Sequence, residues 1–197
     1  MSSTSSSTPS AKLSIPPSSR QIVSSFILLN PNHPSSPLSL SQPSTYLILL
    51  FKRSSKVRVY KYLWAACSGS IDAELDTSPW DAAIREIREE TGLEWGKDYK
   101  RVIGGEGSPR EAAAAVEIDD KDVGTKWKIY LFVWELLGGK SEGDWMGKIR
   151  LDWEHTECRF VRLGDVDGME TVGHLGKNLR RALEGEGGRV KTEDRDD

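Results

Sequence analysis

The chain has 197 residues, of which 37% are hydrophobic and 29% are charged, and its formal net charge is −3 at pH 7. This length suits one domain with a sizeable core. The hydrophobic fraction is lower and the charged fraction higher than a compact domain usually shows, which points to disordered ends. No long basic run favours nucleic-acid binding, no apolar run approaches the roughly 18 residues of a membrane span, and Cys67 and Cys158 lack metal-ligand spacing, which predicts a reduced, intracellular setting without a disulfide.

The charge is unevenly distributed along the chain. The first 71 residues contain seven Lys or Arg and no acid, so they carry +7, and a total of −3 leaves −10 for the remainder. A basic entry segment beside an acidic remainder suits a polyphosphate ligand with bound cations better than it suits duplex DNA. We therefore expect a small phosphorylated partner, with neither a nucleic acid nor a membrane.

Both ends of the chain are predicted to be disordered. Residues 1–20 are rich in Ser, Thr and Pro, and residues 185–197 are rich in charge, so neither segment can bury much apolar surface. The acid-free start is faintly similar to an organelle transit peptide, but two basic residues in 20 are few, and a cytoplasmic location is preferred. The folded domain is expected over residues 24–184.

Two apolar, β-branched runs predict strands before the first acidic residue, and they cover residues 22–29 and 46–53. Lys52 and Arg53 end the second run and are candidates to bind substrate phosphate. Ordinary surface charge is an equally good interpretation of this pair. Residues 64–71 then place small side chains around Gly69, which lets the backbone approach a ligand or a metal closely.

Residues 77–93 predict one helix. Ser78 is a suitable N-cap, Pro79 fits the first helical position, and Gly92 supplies the stop. At roughly 100° per residue one stripe of this helix is apolar and is expected to be buried. The stripe consists of Trp80, Ile84, Ile87 and Thr91.

Glu86, Glu89 and Glu90 are expected on the other side of this helix. Spacings of three and four point their carboxylates the same way, so the charges repel unless a hard divalent cation binds them. The alternative is a solvated surface on which Arg85 and Arg88 partly neutralise the acids. Spacing alone leaves a metal site and an ordinary charged face both open.

One stretch of the helix resembles a known motif. The sequence Arg-Glu-Ile-Arg-Glu-Glu-Thr-Gly-Leu at residues 85–93 is similar, at every specified position, to the core of the Nudix box, Arg-Glu-aliphatic-x-Glu-Glu-x-Gly-aliphatic. The resemblance implies an α/β Nudix fold, with a mixed β-sheet sandwiched between helices (α/β/α). It also implies Mg²⁺- or Mn²⁺-dependent hydrolysis of the diphosphate linkage in a small-molecule partner, a nucleoside diphosphate linked to another moiety.

The resemblance further implies roles for individual residues. The metal ligands would be Glu86, Glu89, Glu90 and the backbone carbonyl of Gly69 or Ser68. Arg85 would orient a neighbouring carboxylate through paired hydrogen bonds, for which a guanidinium suits better than an ammonium group. Glu89 or Glu157 would act as the general base.

The upstream half of the box departs from the family's pattern. The Glu expected there falls on Thr77, and the Gly falls on Ile71. If Gly69 is the family's glycine, the chain carries a small insertion. Asp76 or Glu74 is then the candidate to replace the missing acid.

Three further strands are predicted at residues 99–103, 112–118 and 126–137, followed by a polar loop at residues 138–148. Trp127, Tyr130 and Trp134 lie in the last of these strands. Stacking on a base is one interpretation of these rings. Core packing is favoured, because aromatic residues in alternating runs normally face a core.

The sequence Asp-Trp-Glu-His-Thr-Glu at residues 152–157 resembles the Glu-His-x-Glu segment that precedes the last strand in many Nudix proteins. Glu154 and Glu157 are candidates for an additional carboxylate near the metal, and strand-end hydrogen bonding is the alternative for each. His155 is a candidate phosphate contact or proton shuttle, although a lone histidine more often satisfies a local hydrogen bond. A last amphipathic helix is predicted over residues 171–183, with Val172, Leu175, Leu179 and Leu183 at helical spacing.

Two other functions stay open. A Nudix domain without catalysis would bind a nucleotide or a protein and act as a regulator. An isomerase similar to isoprenyl diphosphate isomerases would use Cys67 as an acid/base, although the hydrolase-type box argues against it. A narrower resemblance, carried by residues 64–71, 152–157 and 172–175, is to Nudix domains that precede a domain similar to translation initiation factor 2B subunits.

Overall fold

The computed structural model of the protein describes residues 20–31, 46–102, 111–121 and 123–187. Within these ranges the chain forms eight strands, three α-helices and a short 3₁₀ helix at Leu163–Gly168. The strands are β1 (Arg20–Leu29), β2 (Leu47–Arg53), β3 (Trp64–Ala65), β4 (Cys67–Ser70), β5 (Tyr99–Arg101), β6 (Ala114–Asp120), β7 (Thr125–Leu136) and β8 (His155–Arg162). The helices are α1 (Pro79–Thr91), α2 (Glu142–Lys148) and α3 (Leu175–Gly187).

The strands form one mixed sheet around β1. This strand runs parallel to β7 from the pair Arg20 and Trp127 to the pair Leu28 and Glu135, and it runs antiparallel to β2 and to β4. β7 also pairs with β5 and β6, while β2 also pairs with β3 and β8. Because β1 has neighbours on both edges and helices over both faces, its apolar run is buried as predicted.

Helices cover both faces of the sheet. Successive side chains of a strand point to opposite faces, so Ile27 of β1 joins a core with Trp80 and Ile87 of α1. Phe26 and Leu28 of β1 join the second core, which α3 covers with Leu175, Leu179 and Ala182. The fold is therefore the predicted α/β/α arrangement with a mixed sheet.

The ends of α1 match the sequence prediction. The Ser78 hydroxyl accepts a hydrogen bond from the backbone N–H of Asp81 at 3.3 Å, and Pro79 begins the helix. Gly92 closes it with a left-handed φ of 72°, and its N–H donates to the carbonyl of Arg88 at 2.9 Å. Trp80 fixes the first turn of the helix against the rings of Trp95 and Trp134, whose centroids lie 5.0 and 5.1 Å away.

The prediction of a polar loop over residues 138–148 was wrong. Residues 142–148 form α2, whose N-cap Ser141 and Asp144 exchange a reciprocal pair of hydrogen bonds. The helix buries Trp145, which is 1% exposed. Two glycines in seven residues and a single buried side chain left no helical periodicity to detect.

The structure also moves the predicted domain ends. β1 begins at Arg20, four residues before the predicted start of the domain, and α3 continues through Gly187, into the segment predicted to be a disordered tail. Residues 1–19 and 188–197 lie outside the described residues, so disorder there stays a prediction. In the part of the chain that the structure describes, no helix has the length and apolar character needed to cross a membrane.

Candidate active site

A cleft of about 430 Å³ is lined by residues of α1, of the sheet and of the start of α3. Its floor is built by residues that neighbour one another in register, Ser24 opposite Ser68 and Ile22 opposite Ile129. The lining combines apolar residues with charged ones, and the charged residues are Arg53, Glu86, Glu89, Asp120 and Glu154. A volume of this size is typical of a small-ligand site.

Gly69 lies directly against Glu86 of α1. A Cβ atom added at this position would stand 1.9 to 2.2 Å from the three atoms of the Glu86 carboxyl group. The prediction that a small residue here permits close approach is consistent with this geometry, and the neighbour approached is the carboxylate of α1. Both residues line the cleft.

Arg85 uses all five of its N–H donors. Its Nε and Nη2 donate to the two carboxylate oxygens of Asp76 at 3.0 and 2.8 Å, and Nη2 also donates to the carbonyl of Ser70 at 2.9 Å. Its Nη1 donates to Glu86 at 2.8 Å and to Glu89 at 3.0 Å. One guanidinium therefore fixes the carboxylates of α1 relative to the end of β4.

Asp76 is the buried ion-pair partner of Arg85. Its side chain is 1% exposed and accepts a further hydrogen bond from the backbone N–H of Asp72 at 2.8 Å. The hydrogen bonds from Arg85 lower the pKa of Asp76 below its ordinary value, so it stays ionised. Of the two acids that the sequence offered for the irregular half of the box, Asp76 reaches Arg85, whereas Glu74 is exposed.

Glu90 is buried, although the sequence analysis placed it on the side of α1 opposite the buried stripe. It is 2% exposed, because the buried face of the helix also includes Ala82 and Ala83 and is wider than the predicted stripe. Its Oε1 accepts a hydrogen bond from the backbone N–H of Ser68 at 3.3 Å, whereas Oε2 accepts none from an N–H or O–H of the described residues. Burial, followed by the charge of Glu86, raises the pKa of Glu90 well above its ordinary value.

The three glutamates of the motif lie at different depths. Glu90 is buried, the Glu86 side chain is 14% exposed, and the Glu89 side chain is 56% exposed. Burial raises the pKa of Glu86 to about 7 in spite of the opposing effect of Arg85. As the side chains stand, no three His, Cys, Asp or Glu of the described residues converge on one point.

The oxygen donors around Glu86 nonetheless fit a hard divalent cation. They are the Glu90 oxygen that has no hydrogen-bond partner among the described residues, the crowded carboxylates of Glu86 and Glu90 with raised pKa, and the backbone carbonyl of Gly69, and all are of the type that Mg²⁺ and Mn²⁺ take. A bound cation would relieve the repulsion between Glu86 and Glu90.

Of the remaining predicted site residues, the structure brings some into the cleft and leaves others outside it. Arg53 and Glu154 both line the cleft, and their side chains approach to 3.9 Å. Lys52 is not among the described lining residues, and its ammonium lies 5.8 Å from the ring centroid of Trp64. Glu157 is also outside the lining and pairs with Arg159 at 3.5 Å.

His155 and Cys67 lie behind the cleft. His155 is 6% exposed, its Nδ1 is 3.1 Å from Asp152, and burial lowers its pKa, so the local hydrogen-bond interpretation of this residue fits best. Cys67 points to the opposite face of β4 from Ser68, is fully buried in the α1 core, and has a pKa raised by burial and by Glu90. This position does not favour the isomerase alternative.

The sequence analysis missed the part of the cleft that α3 forms. His174, with a left-handed φ of 65°, and Asn178 line it together with Trp127. The sequence carries one signal for Asn178, which stands three residues after Leu175 and directly before Leu179, within the apolar stripe of α3. A polar residue in a buried stripe often marks a functional position.

Fold and cleft together define an α/β/α protein in which a carboxylate-bearing helix forms one wall of a ligand-sized site. The family model for the NUDIX domain matches residues 32–181. The chain belongs to the Nudix family.

Solved structures have the same fold at low sequence identity. The Ap4A hydrolase of C. elegans in a binary complex has a TM-score of 0.55 at 16% identity, covering 82% of this chain and 93% of that one. The Nudix hydrolase RenU of M. smegmatis has a TM-score of 0.55 at 16% identity, with 84% of each chain covered. The NUDIX domain of Shewanella oneidensis NrtR, complexed with ADP ribose, has a TM-score of 0.55 at 14% identity, covering 84% of this chain and 87% of that one. A comparison with curated proteins returned no match.

Proposed function

We propose that the protein hydrolyses the diphosphate linkage of a nucleoside diphosphate linked to another moiety, by attack of water at phosphorus, giving two phosphorylated fragments. Membership of the Nudix family supports this class of reaction. The observation that carries the proposal is the network of Arg85, which fixes the carboxylates of Glu86 and Glu89 beside a buried, incompletely bonded Glu90. Carboxylates that repel one another beside a cleft would serve no purpose in a purely structural helix.

The cation site consists of Glu86, Glu89, Glu90 and the backbone carbonyl of Gly69. Mg²⁺ or Mn²⁺ bound there would neutralise charge on the diphosphate and make water a stronger nucleophile. Arg85 acts as the positioning residue, since its contacts in the structure are to protein carboxylates and to the carbonyl of Ser70. Asp76, ionised and buried, keeps the guanidinium in place.

Arg53 is the residue best placed to contact phosphate. Among the described residues that line the cleft it is the only Lys or Arg, and its side chain is 13% exposed. A guanidinium matches phosphate geometry well. Lys52 remains a candidate of the sequence analysis that the structure leaves outside the cleft.

Glu154 or Glu89 serves as the general base. Glu154 faces the cleft, and burial raises its pKa toward the range in which a carboxylate accepts a proton efficiently. Glu89 lines the cleft from α1 and is more exposed. The structure favours these two over Glu157, which faces away.

The test is a panel of nucleoside diphosphate sugars, ADP-ribose, dinucleoside polyphosphates and oxidised nucleotides, assayed for Mg²⁺-dependent product release. Glu90→Gln should lower turnover of the active substrate by more than about 100-fold with the fold intact, because it removes the buried anionic ligand. Glu94→Gln, an exposed acid that pairs with Lys97, is the matched control and should keep the wild-type rate.

Turnover at the wild-type rate in Glu90→Gln would contradict the metal assignment. Calorimetric binding of Mg²⁺ and a nucleotide sugar, without product from any compound of the panel, would favour the regulatory alternative. Since Glu90 is buried next to Cys67, circular dichroism of each variant checks that the fold has survived.

A further inference from the structure

The pairing of β8 with β2 contains a one-residue irregularity beside the cleft. Lys52 lies opposite Glu157, and the next residue of β2, Arg53, lies opposite His155. Thr156 is therefore an extra residue of β8, a β-bulge. Relative to a regular strand, a bulge moves the side chains before it to the other face of the sheet, and bulges are frequent next to active sites.

The bulge determines which face of the sheet the preceding side chains occupy. Regular alternation from Val161, which packs against the core under α3, would put His155 on the α3 face. The structure instead packs the His155 ring against Phe51 of the α1 core, with the ring centroids 5.2 Å apart. Glu154, the residue before it, therefore points to the α3 face, and it lines the cleft together with Ile129 of the core under α3.

Asp152 fixes the backbone on the N-terminal side of the bulge. Its Oδ1 accepts hydrogen bonds from the backbone N–H of Glu154 at 3.0 Å and from Nδ1 of His155 at 3.1 Å. Since a carboxylate oxygen accepts, Nδ1 carries the proton, and burial keeps the pKa of His155 below its ordinary value. One carboxylate oxygen thus binds two neighbouring residues whose side chains point to opposite faces.

Ser54, which is 4% exposed, fixes the same segment from the end of β2. Its backbone N–H donates to the carbonyl of Glu154 at 2.7 Å, and its hydroxyl donates to the carbonyl of Trp153 at 3.0 Å. Both backbone polar groups of Glu154 are therefore hydrogen-bonded, and its side chain approaches Arg53 to 3.9 Å. A slip to the regular register would break these hydrogen bonds and turn the Glu154 carboxylate away from the cleft.

We propose that Asp152 and Ser54 are positioning residues that hold the bulge so that the Glu154 carboxylate stays in the cleft. The inference rests on the proposed function for the role of Glu154 as the general base. Neither Asp152 nor Ser54 is among the described residues that line the cleft, so both act through Glu154. General-base catalysis contributes about 100- to 10,000-fold to a rate, which limits the loss that a displaced base can cause.

The test compares two substitutions of Asp152. Asp152→Ala removes the acceptor, whereas Asp152→Asn keeps an oxygen in its place and removes the charge. With the substrate that the panel identifies, kcat should fall by about 10- to 100-fold in Asp152→Ala with KM little changed, and Asp152→Asn should stay within about threefold of the wild type. Asp144→Ala, which changes an exposed aspartate at the start of α2, is the control and should keep the wild-type kcat.

The double variant Asp152→Ala/Glu154→Gln separates positioning from general damage. If Asp152 acts through Glu154, the double variant should be no slower than Glu154→Gln alone, because the effects of residues that act as a unit are not additive. Losses that multiply, equal kcat in the two Asp152 variants, or a wild-type kcat in Glu154→Gln would each overturn the inference.

Amide hydrogen exchange of Ser54 and Glu154, followed by NMR, tests the hydrogen bonds without turnover. Both N–H groups should be protected in the wild type and in Asp152→Asn, and they should exchange at least about 10-fold faster in Asp152→Ala. Unchanged protection in Asp152→Ala would also overturn the inference. Faster exchange in a protein that hydrolyses no compound of the panel would instead refute the proposed function and leave the role of Asp152 in holding the bulge intact.

Discussion

At the scale of single residues, the motif predicted the close approach of Gly69 to α1, but it did not predict how deeply each glutamate is buried. The sequence placed Glu86 and Glu89 beside Gly69, and the structure brings these three residues together. Glu90 was expected opposite the buried stripe of α1, because a periodic pattern shows the centre of a buried face and not its width. Whether Glu154 or Glu157 supplies the additional carboxylate of the cleft depends on where β8 begins. A strand boundary is the feature that a sequence specifies least.

Gly69→Ala tests the close approach of β4 to α1. The added methyl group would overlap the Glu86 carboxyl, so this group must move away from Nη1 of Arg85. We expect turnover to fall by about 100-fold, since small displacements of catalytic groups have effects of this size. The measurement is kcat for the active substrate, with circular dichroism to confirm folding.

Gly147→Ala is the control for this change. Its added Cβ meets no atom within 4 Å, so activity should be unchanged. Within α2 alanine is also the better helix former, and stability should rise by up to about 1 kcal/mol. Wild-type turnover in Gly69→Ala would show that the position of the Glu86 carboxylate does not matter.

Arg85→Lys tests whether the planar guanidinium, with its five N–H donors, is required. An ammonium group has three donors and cannot serve Asp76, Glu86, Glu89 and Ser70 at once. We expect a loss of about 2 kcal/mol in the unfolding free energy, measured in urea, from the weakened hydrogen bonds to buried Asp76. Turnover should fall by about 10- to 100-fold.

Arg88→Lys provides the comparison on the same helix. Arg88 is exposed, and the exchange should change both quantities little. An effect of equal size in the two variants would mean that any lysine on α1 is harmful and that the network of Arg85 has no special role.

At the scale of elements, periodicity located the long segments and failed for the short ones. β1 and α1 carry enough apolar residues to show their period, and α1 also has Ser78, Pro79 and Gly92 at its ends. α2 has seven residues, and its main tertiary contacts are a buried ring and an ion pair with a distant residue, Asp98. Contacts of that kind are fixed by tertiary structure, so the local sequence does not indicate them.

The ion pair between Lys148 of α2 and Asp98 predicts a dependence of stability on pH. Asp98 has a side chain that is 2% exposed, and although burial opposes it, hydrogen bonds from Lys148 and from the N–H of Glu94 lower its pKa below the ordinary 3.8. A lowered folded-state pKa means that the contribution of Asp98 is present above 3.8 and is lost as the pH falls through the folded value. Lys148→Met should therefore cost about 3 kcal/mol at pH 7 and less near pH 3.

The measurement is urea unfolding of both proteins at several pH values, with Lys97→Met as control. Lys97 pairs with Glu94 at 3.2 Å, but both side chains are more than half exposed, so this change should cost less than about 0.5 kcal/mol. A pH-independent difference between wild type and Lys148→Met would show that the loss comes from packing on Trp145 and not from the charge pair.

At the scale of the whole molecule, the cleft combines segments that are far apart in the sequence. Gly69 and Glu86 meet because β4 pairs with β1 beside α1, and the start of α3 reaches the same cleft because Trp64 bonds to Val172. The motif predicted that Gly69 and Glu86 lie together, since both residues belong to the same sequence signature. Asn178 stands out in the sequence only as a polar residue within the apolar stripe of α3, and its place in the cleft depends on how this helix packs on the sheet.

A cation and a nucleotide that share one cleft should stabilise the protein cooperatively. A ligand at 100 times its dissociation constant contributes about 2.7 kcal/mol to the unfolding free energy, which corresponds to roughly 5–10 °C in Tm for a domain of this size. Mg²⁺ at the glutamates would also attract the diphosphate of a nucleotide in the same cleft. We therefore expect Mg²⁺ and ADP together to raise Tm by more than the sum of their separate effects.

Thermal unfolding with each ligand, with both and with neither measures this, and Glu90→Gln should abolish the excess while keeping the effect of ADP alone. Strictly additive shifts in the wild type would mean that the cation and the nucleotide bind at unconnected sites.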